Sequence, residues 1–141
     1  MCPLIVVTVR GISMQPTLTD GDRVLVRRRV LPKRGGMAVV EQPMRRAPHW
    51  SDEPAGLGCW KNDVGARNWM IKRVVAAPGD QVPLGRTGNS HVDGSRVPEE
   101  HLLLLGDNAE VSFDSRHVGF FPADRILGSV WHTLSRGTKK A

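Results

Sequence analysis

Residues 69–76 read Trp-Met-Ile-Lys-Arg-Val-Val-Ala and are soon followed by Pro78-Gly79-Asp80. Apolar and β-branched residues dominate this stretch, which favours a strand, and the Pro-Gly pair suits the two central positions of a type II turn. Alternate side chains of a strand point to the same face, so Lys72 points the same way as Met70 and Val74. The stretch therefore predicts a strand that carries a lysine on an apolar face.

The rest of the chain carries similar strand signals. Short segments rich in Val, Leu and Ile are separated by Gly, Pro, Asp and Asn, and few segments show helical periodicity. Asp93-Gly94 is a turn signal that predicts a hairpin around residues 92–94. We therefore predict a mainly β fold. Its other strands are expected at residues 4–9, 23–27, 37–41, 101–105 and 126–132.

The length of 141 residues supports one domain, residues 1–141, with a sizeable core. Residues 42–68 differ from the rest because they are rich in proline and show no clean period. We interpret this segment as a surface loop or insertion, which at such a length is often functional or disordered. Its tryptophans, Trp50 and Trp60, lie near arginines and suit a membrane interface and ordinary loop packing equally.

The chain is basic, with 20 Lys and Arg residues against 14 Asp and Glu residues and a formal net charge of +6. Its densest run, Arg27-Arg28-Arg29, is typical of a solvated face. A basic surface favours anionic lipid headgroups, acidic partners or nucleic acid. No recognisable nucleic-acid-binding motif accompanies these residues, and aromatic residues make up only 5% of the chain. A nucleic-acid-binding module is therefore the alternative class of function, and nucleic acid is not the expected partner.

The cysteines and histidines indicate no metal chemistry. Cys2 and Cys59 are too few and too far apart for a zinc motif, and a disulfide between them cannot be deduced. A nucleophile pair of Cys59 and His49 is conceivable, but no motif supports it, and a free surface thiol fits the loop setting better. We expect no metal site and no cofactor.

Lys72 differs from the other lysines of the chain, which lie in turns or in the terminal tail. A serine hydroxyl becomes a good nucleophile only when a nearby base takes its proton, and a neutral lysine amine can serve as that base. A free lysine has a pKa of roughly 10.4, so desolvation or nearby cations must favour the neutral amine. The alternative is a lysine on an edge strand with its amine in water.

Ser13 is the candidate nucleophile. It begins the run Ser-Met-Gln-Pro-Thr-Leu and is bracketed by Gly11 and Pro16, which predicts a sharp connection after the strand at residues 4–9. A turn exposes a hydroxyl and leaves backbone N–H groups free to bind an oxyanion. The alternative is a turn serine that does no chemistry.

A third block, GDNAEVSFDSRHVGFFP at residues 106–122, completes a pattern. Together with SMQPTL at residues 13–18 and IKRVVAAPGD at residues 71–80, in this order, it resembles the type I signal peptidases and their relatives, the S26 serine endopeptidases. The resemblance extends from Gly11 to Pro122 and implies a signal peptidase-like fold of antiparallel sheets with a Ser-Lys dyad.

The resemblance also implies roles for individual residues. Ser13 matches the nucleophile of the family and Lys72 its general base. Ser112 matches a serine that helps to orient the lysine amine. Asp114 and Arg116 match a charged pair that braces the active-site region, although such a pair can also serve stability alone.

Other positions match the family less fully. Gly106, Asp107 and Asn108 match the turn that introduces the third block. Some members carry a serine two residues before the nucleophile, where its hydroxyl completes the oxyanion hole, and here that position is Gly11. The hole would then rely on the backbone N–H of Ser13 and on other donors.

The implied function is a serine endopeptidase that removes N-terminal signal or leader peptides from precursor proteins. The precursor would lie extended beside a strand, with small side chains at the first and third positions before the cut, and no cofactor is needed. One alternative is a dedicated maturation protease for a single precursor, such as those that process nickel-type superoxide dismutase. A self-cleaving repressor-type regulator is disfavoured, because the chain has no room for a DNA-binding domain before Ser13.

The family resemblance implies association with the outer face of the plasma membrane, and a cytoplasmic location is the alternative. Only twelve residues precede Ser13, and the apolar segment at residues 4–9 is far too short to span a bilayer or to act as a cleaved signal peptide. We expect either a soluble or peripheral protease, or a membrane anchor that is missing from this sequence. An anionic membrane surface is a further candidate partner.

Overall fold

The computed structural model describes residues 4–43, 50, 68–87 and 92–137. Cys2, His49, Cys59 and most of the proposed insertion at residues 42–68 lie outside these ranges. Every residue that the sequence pattern assigns to the candidate site lies inside them.

Strands dominate the described residues, and every pairing between them is antiparallel. All six predicted strands are confirmed, and a two-residue strand before the last one, too short to show alternation, was not predicted. The strands are β1 (Leu4–Thr8), β2 (Arg23–Arg28), β3 (Met37–Glu41), β4 (Trp69–Ala76), β5 (His101–Leu105), β6 (Phe121–Pro122) and β7 (Ile126–Ser135). They form one sheet in the order β1-β2-β7-β3-β4-β5-β6.

The inner strands of this sheet are buried on both faces. In β3, Val39 packs in one hydrophobic cluster and Val40 in another, and in β5 Leu103 and Leu104 likewise belong to different clusters. A strand that is covered on both faces needs a continuous apolar run and not an alternating one. Because fully burying a Val or Leu side chain stabilises a protein by roughly 1.5–3 kcal/mol, these runs fix the central strands in place.

Strand β4 lies inside the sheet, between β3 and β5. Met70 and Val74 pack in one cluster and Ile71 in another, so the predicted alternation holds. The predicted turn follows, with the Asp80 N–H donating to the Ala77 carbonyl at 2.9 Å. Lys72 is therefore on an inner strand, which excludes the edge-strand alternative.

The basic run at the end of β2 does not form one solvated face, and that expectation was wrong. Arg27 and Arg29 are exposed, but Arg28 is only 6% exposed, because alternate residues of a strand face opposite sides of the sheet.

The predicted Asp-Gly turn is also present. The Ser95 N–H donates to the Val92 carbonyl at 3.1 Å, and Gly94 has a φ of 77°, a left-handed conformation that glycine tolerates best. The residues after the turn pair with the segment at 79–82, where the Val82 N–H donates to the Ser95 carbonyl at 2.7 Å.

Helical structure is short in the described residues. One α-helix, α1, covers Ser115–Val118, and single 3₁₀ turns cover Ala109–Val111 and Ala123–Arg125. Within the described ranges, no helix has the length and apolar character needed to cross a bilayer.

Candidate active site

Ser13 lies on the connection between β1 and β2. Hydrogen bonds close the base of this connection, from the Val9 N–H to the Asp22 carbonyl at 2.7 Å and from the Gly21 N–H to the Val9 carbonyl at 2.8 Å. Met14 is buried in the hydrophobic cluster that also contains Val9. Ser13 itself is half-buried, so the loop holds its hydroxyl near the surface on a fixed backbone.

Lys72 comes from the middle of β4 and is only 2% exposed. Its Nζ donates a hydrogen bond to Ser112 Oγ at 3.0 Å, although the two residues are 40 positions apart in the sequence. The structure therefore brings together the lysine and the serine that the sequence pattern paired. Burial penalises the charged form of an amine, and this is the condition that a lysine base requires.

Asp114 receives hydrogen bonds from several donors beneath this pair. Ser112 Oγ donates to its Oδ2 at 2.6 Å, and the Gly106 N–H donates to the same oxygen at 2.8 Å. The Arg116 guanidinium binds both carboxylate oxygens, with Nε 2.9 Å from Oδ1 and Nη2 2.5 Å from Oδ2. Asp114 is fully buried and also caps α1, where it accepts a hydrogen bond from the Arg116 N–H.

The charge of Asp114 fixes the direction of these hydrogen bonds. Burial by itself raises the pKa of Asp114, but hydrogen bonds from Arg116, Gly106 and Ser112 outweigh it and hold that pKa below its ordinary value. An ionised carboxylate only accepts hydrogen bonds, so the single hydroxyl proton of Ser112 is directed to Asp114. Ser112 Oγ can then only accept from Lys72, and the Lys72 amine is held in one orientation.

Gly106 fills a position with no room for a side chain. A Cβ atom there would lie 2.1 Å from Ser112 Oγ and 2.8 Å from the carbonyl oxygen of Ser13. Since such contacts are far inside van der Waals distance, only glycine allows the turn to pass between the two serines. The structural reason for glycine in this turn is therefore close packing.

Asp107 and Asn108 tie this turn to the loop that carries Ser13. The Asn108 N–H donates to the Ser13 carbonyl at 2.8 Å, and the Asn108 Nδ2 donates to the Ile12 carbonyl at 3.1 Å. Asp107 accepts a hydrogen bond of 2.6 Å from Thr17 Oγ1. The turn thus holds the serine loop from both sides of Ser13.

Arg73, the neighbour of Lys72 on β4, joins the same network. Its Nη2 lies 2.6 Å from Asp107 Oδ2 and its Nε lies 3.2 Å from Asp107 Oδ1. Burial raises the pKa of Asp107, but hydrogen bonds from Arg73 and Thr17 outweigh it and lower that pKa. Arg73 and Thr17 were not predicted as site residues. Their only sequence signal was their position beside Lys72 and within the serine block.

A groove with a volume of about 250 Å³ brings Ser13 and Lys72 to one surface. The segment from Val7 to Met14 and the first half of β4 border it, together with Gln42, Val111 and Phe113. A hydroxyl and a buried amine in one groove can act on the same substrate bond.

Gly11, the position where some relatives carry a serine, has a φ of 81°. Residues that carry a side chain rarely adopt this left-handed backbone conformation, which favours glycine here. A Cβ atom at Gly11 would meet no heavy atom within 4 Å, so the backbone conformation and not a lack of space explains the glycine. The Gly11 N–H donates to Asp20 Oδ1 at 2.8 Å.

An antiparallel sheet that presents a serine loop and a buried lysine in one groove is the arrangement expected for serine endopeptidases of the Ser-Lys class. The family model described as signal peptidase, peptidase S26, matches residues 2–87 and 84–134 of this chain. Because the match covers nearly the whole sequence, the chain belongs to the S26 family.

Individual relatives agree with this assignment. A probable signal peptidase I-2 of Synechocystis sp. is 29% identical over an alignment of 139 positions. This alignment covers 82% of this chain and 56% of that protein. Signal peptidase IB of Staphylococcus aureus strain COL is 30% identical over an alignment of 159 positions. This alignment covers 87% of this chain and 73% of that protein. The chain thus spans little more than half the length of the Synechocystis relative.

Proposed function

We propose that this protein is an endopeptidase that removes N-terminal signal or leader peptides from precursor proteins, with Ser13 as nucleophile and Lys72 as general base. The observation that carries the proposal is the burial of Lys72, whose amine is held 3.0 Å from Ser112 and shares a groove with Ser13. The membership of the chain in the S26 family gives it independent support.

In the acylation step, Ser13 Oγ attacks the scissile carbonyl carbon while the neutral Lys72 amine accepts the hydroxyl proton. The tetrahedral intermediate then collapses, and the ammonium of Lys72 returns this proton to the amine that leaves with the mature protein. An amine that donates one N–H to Ser112 Oγ keeps a lone pair for the proton of Ser13. The Ser112 hydroxyl and Asp114 would therefore position the base without touching the substrate.

In deacylation Lys72 again acts first as base and then as acid, and Ser13 is now the leaving group. Lys72 accepts a proton from a water molecule, the water oxygen attacks the acyl ester, and Ser13 Oγ leaves with the proton held by Lys72. Backbone N–H groups of the serine loop would stabilise the oxyanion, because Gly11 supplies no side-chain donor. One such donor contributes roughly 3–4 kcal/mol to transition-state stabilisation.

The substrate would bind as an extended strand. In the sheet order, β1 pairs on one side only within the described residues, so its other edge offers backbone hydrogen-bonding groups beside the groove. Extended peptides commonly add to such an edge. The modest groove volume is compatible with small side chains at the first and third positions before the cut.

The direct test is cleavage of a purified precursor whose leader ends in Ala-X-Ala, with new N-termini identified by mass spectrometry. Ser13→Ala and Lys72→Met should each lower kcat by about 10⁴-fold or more, as removal of a nucleophile or its base does in other serine proteases. Lys33→Met and Ser135→Ala change exposed residues of the same types and should retain wild-type cleavage. Cleavage that survives Ser13→Ala would refute the mechanism.

The range of substrates decides between general and dedicated processing. Secretory precursors with unrelated mature sequences, all cut after Ala-X-Ala, would support general removal of signal peptides. Cleavage of one precursor alone, with secretory leaders left intact, would establish a dedicated maturation protease in its place.

We also propose that the exposed apolar side chains of β1 and β7 contact an anionic membrane surface. Leu4, Val6, Trp131 and Leu134 each expose 42% to 50% of their surface. The Arg27 guanidinium lies 5.4 Å from the centre of the Trp131 ring, and tryptophan and arginine are both suited to a membrane interface. Co-sedimentation with phosphatidylglycerol vesicles should fall for Trp131→Gln but not for Leu84→Gln, an exposed leucine on another part of the chain. Equal binding by both variants would disprove this surface.

A further inference from the structure

A second cavity, with a volume of about 570 Å³, lies beside the end of β2, the start of β4 and the segment at residues 122–127. Neither Ser13 nor Lys72 borders it, although Trp69 borders both this cavity and the groove. Much of its wall is apolar, with contributions from Val30, Leu31 and Ile126. Apolar cavities of this size with a few polar groups are typical of small-molecule sites.

Arg28 borders this cavity and is the reason to expect a ligand in it. The side chain is only 6% exposed, and its Nε and Nη1 atoms are buried without an acceptor among the described residues. Burial and the neighbouring charge of Arg29 both lower the pKa of Arg28. A buried guanidinium is normally paired with an acid, since an unpaired buried charge is strongly unfavourable.

Arg125, a partly buried arginine at this cavity, already has a partner. Arg125 Nη1 lies 3.0 Å from Glu41 Oε2, and its guanidinium also lies 5.3 Å from the centre of the Trp50 ring. Arg125 thus differs from Arg28, whose buried Nε and Nη1 atoms have no acceptor among the described residues. Arg28 is therefore the buried cation at this cavity whose guanidinium has no acid partner among the described residues.

The backbone holds Arg28 firmly in place. It pairs with Gly128 of β7, where a Cβ atom would lie 2.1 Å from the Arg27 carbonyl oxygen, so the two strands are unusually close. Among the described residues, Arg29 and Glu100 are the non-glycine residues with a positive φ, at 63° and 60°, and both border the cavity. Such conformations are uncommon and often occur beside functional sites.

We propose that this cavity binds a small organic anion that carries one carboxylate on an apolar chain, with Arg28 as the partner of the carboxylate. The forked guanidinium matches a carboxylate, and the apolar wall accommodates the chain. The acidic side chains of Glu41, Glu100 and Asp124 also border the cavity and disfavour a second negative charge. A monovalent carboxylate therefore fits better than a divalent phosphate.

Isothermal titration calorimetry with octanoate at pH 8 tests the proposal on the full chain. Wild-type protein should bind octanoate, and Arg28→Met, which keeps an unbranched side chain but removes the charged guanidinium, should weaken binding at least tenfold. Arg23→Met removes an exposed arginine at the start of the same strand and should leave binding unchanged. Three related compounds should each bind at least tenfold more weakly than octanoate. Octanol lacks the charge, acetate lacks the apolar chain, and octyl phosphate carries two charges at this pH.

A measurement on the wild-type protein covers the case in which Arg28→Met does not fold. In the ¹⁵N-labelled protein, the Nε–H resonance of Arg28 should shift during the octanoate titration while that of Arg23 stays in place. Absence of octanoate binding, an unmoved Arg28 resonance, or equal binding by wild type and a folded Arg28→Met variant would overturn the proposal. Binding of acetate as tight as that of octanoate would overturn the assignment of an apolar chain.

Discussion

Lys72 donates a hydrogen bond of 3.0 Å to Ser112, and Ser112 in turn donates one of 2.6 Å to the buried carboxylate of Asp114. The direction of the first bond depends on the second, because an ionised Asp114 leaves Ser112 no proton to offer Lys72. Arg116 balances the negative charge of Asp114 at hydrogen-bond distance. The hydrogen bonds that connect Arg116, Asp114, Ser112 and the proposed base Lys72 therefore each have a fixed donor and a fixed acceptor.

Ser112→Ala should lower activity while the protein stays folded. It removes the acceptor of Lys72, which becomes charged as it takes up the proton of Ser13. Since hydrogen bonds to charged groups contribute roughly 1.5–3 kcal/mol, kcat should fall about 10- to 100-fold with little change in KM. Steady-state cleavage of the precursor peptide measures this effect, with Ser135→Ala as the matched control. A Ser112→Ala enzyme with wild-type kcat would show that Lys72 does not depend on Ser112.

Gly106→Ala should be more damaging than an ordinary glycine substitution. The new Cβ atom would meet Ser112 Oγ at 2.1 Å and the Ser13 carbonyl at 2.8 Å, so one of the two serines must move. A displacement of about 1 Å in a catalytic group can cost 10²-fold in rate, and we expect a loss in kcat of at least that size.

Gly79→Ala is the matched control for Gly106→Ala. Gly79 has a φ of 86° in the turn after β4, and a Cβ atom there would meet nothing within 4 Å. This variant should lower the melting temperature because of backbone strain but keep kcat. Equal kcat values for the two variants would contradict the close-packing role of Gly106.

The strands could be predicted because their signals are local. Apolar runs bounded by Gly, Pro and Asp mark each of the six longer strands, and the alternation in β4 placed Lys72 on an apolar face. Its burial, against the alternative of an edge strand, was decided by the position of β4 inside the sheet. The contact between Lys72 and Ser112 spans 40 residues and was expected only from the resemblance to a family. Residue periodicity carries no information about such a pairing.

The polar network around Asp107 could not be predicted for the same reason. Thr17 is 90 positions from Asp107 and Arg73 is 34 positions from it, and neither spacing is a recognisable motif. The burial of Arg28 was also missed, because a run of arginines indicates a solvated face unless the strand that carries it is covered on both sides. Long-range packing decides both features.

A double-mutant cycle should reveal the coupling between Thr17 and Asp107. Thr17 Oγ1 donates to Asp107 at 2.6 Å and thereby ties the serine loop to the turn after β5. Thr17→Val and Asp107→Asn should each lower the free energy of unfolding, and the interaction energy between them should be about 0.5–3 kcal/mol. Urea denaturation of the four proteins provides the measurement. As a control, the changes in the free energy of unfolding caused by Thr17→Val and Ser135→Ala should add within about 0.5 kcal/mol. If the changes caused by Thr17→Val and Asp107→Asn also add within this limit, the two residues are not coupled.

Asp22 should make the stability of the protein depend on acid pH. Its side chain is fully buried and accepts hydrogen bonds from the Thr19 N–H at 2.9 Å, the Gly137 N–H at 2.6 Å and Arg136 at 3.1 Å. Burial raises the pKa of Asp22, but these hydrogen bonds outweigh it and lower that pKa from 3.8 to about 2. A carboxyl group with a lower pKa in the folded state stabilises it fully above the unfolded pKa and loses this contribution as pH falls through the folded pKa.

The contribution of Asp22 should therefore be complete above about pH 5 and decline as pH falls through the unfolded pKa of 3.8 and the folded pKa of about 2. Asp22→Asn removes the charge and nearly preserves the shape, so its melting temperature should lie well below that of wild type at pH 6. The difference should shrink as pH approaches 2, because protonated Asp22 then resembles asparagine. Circular dichroism melts at pH 6, 4, 3 and 2 measure it, with the exposed Asp124→Asn variant as the control. A difference that stays constant over this range would show that Asp22 stabilises the fold through its shape and not through its charge.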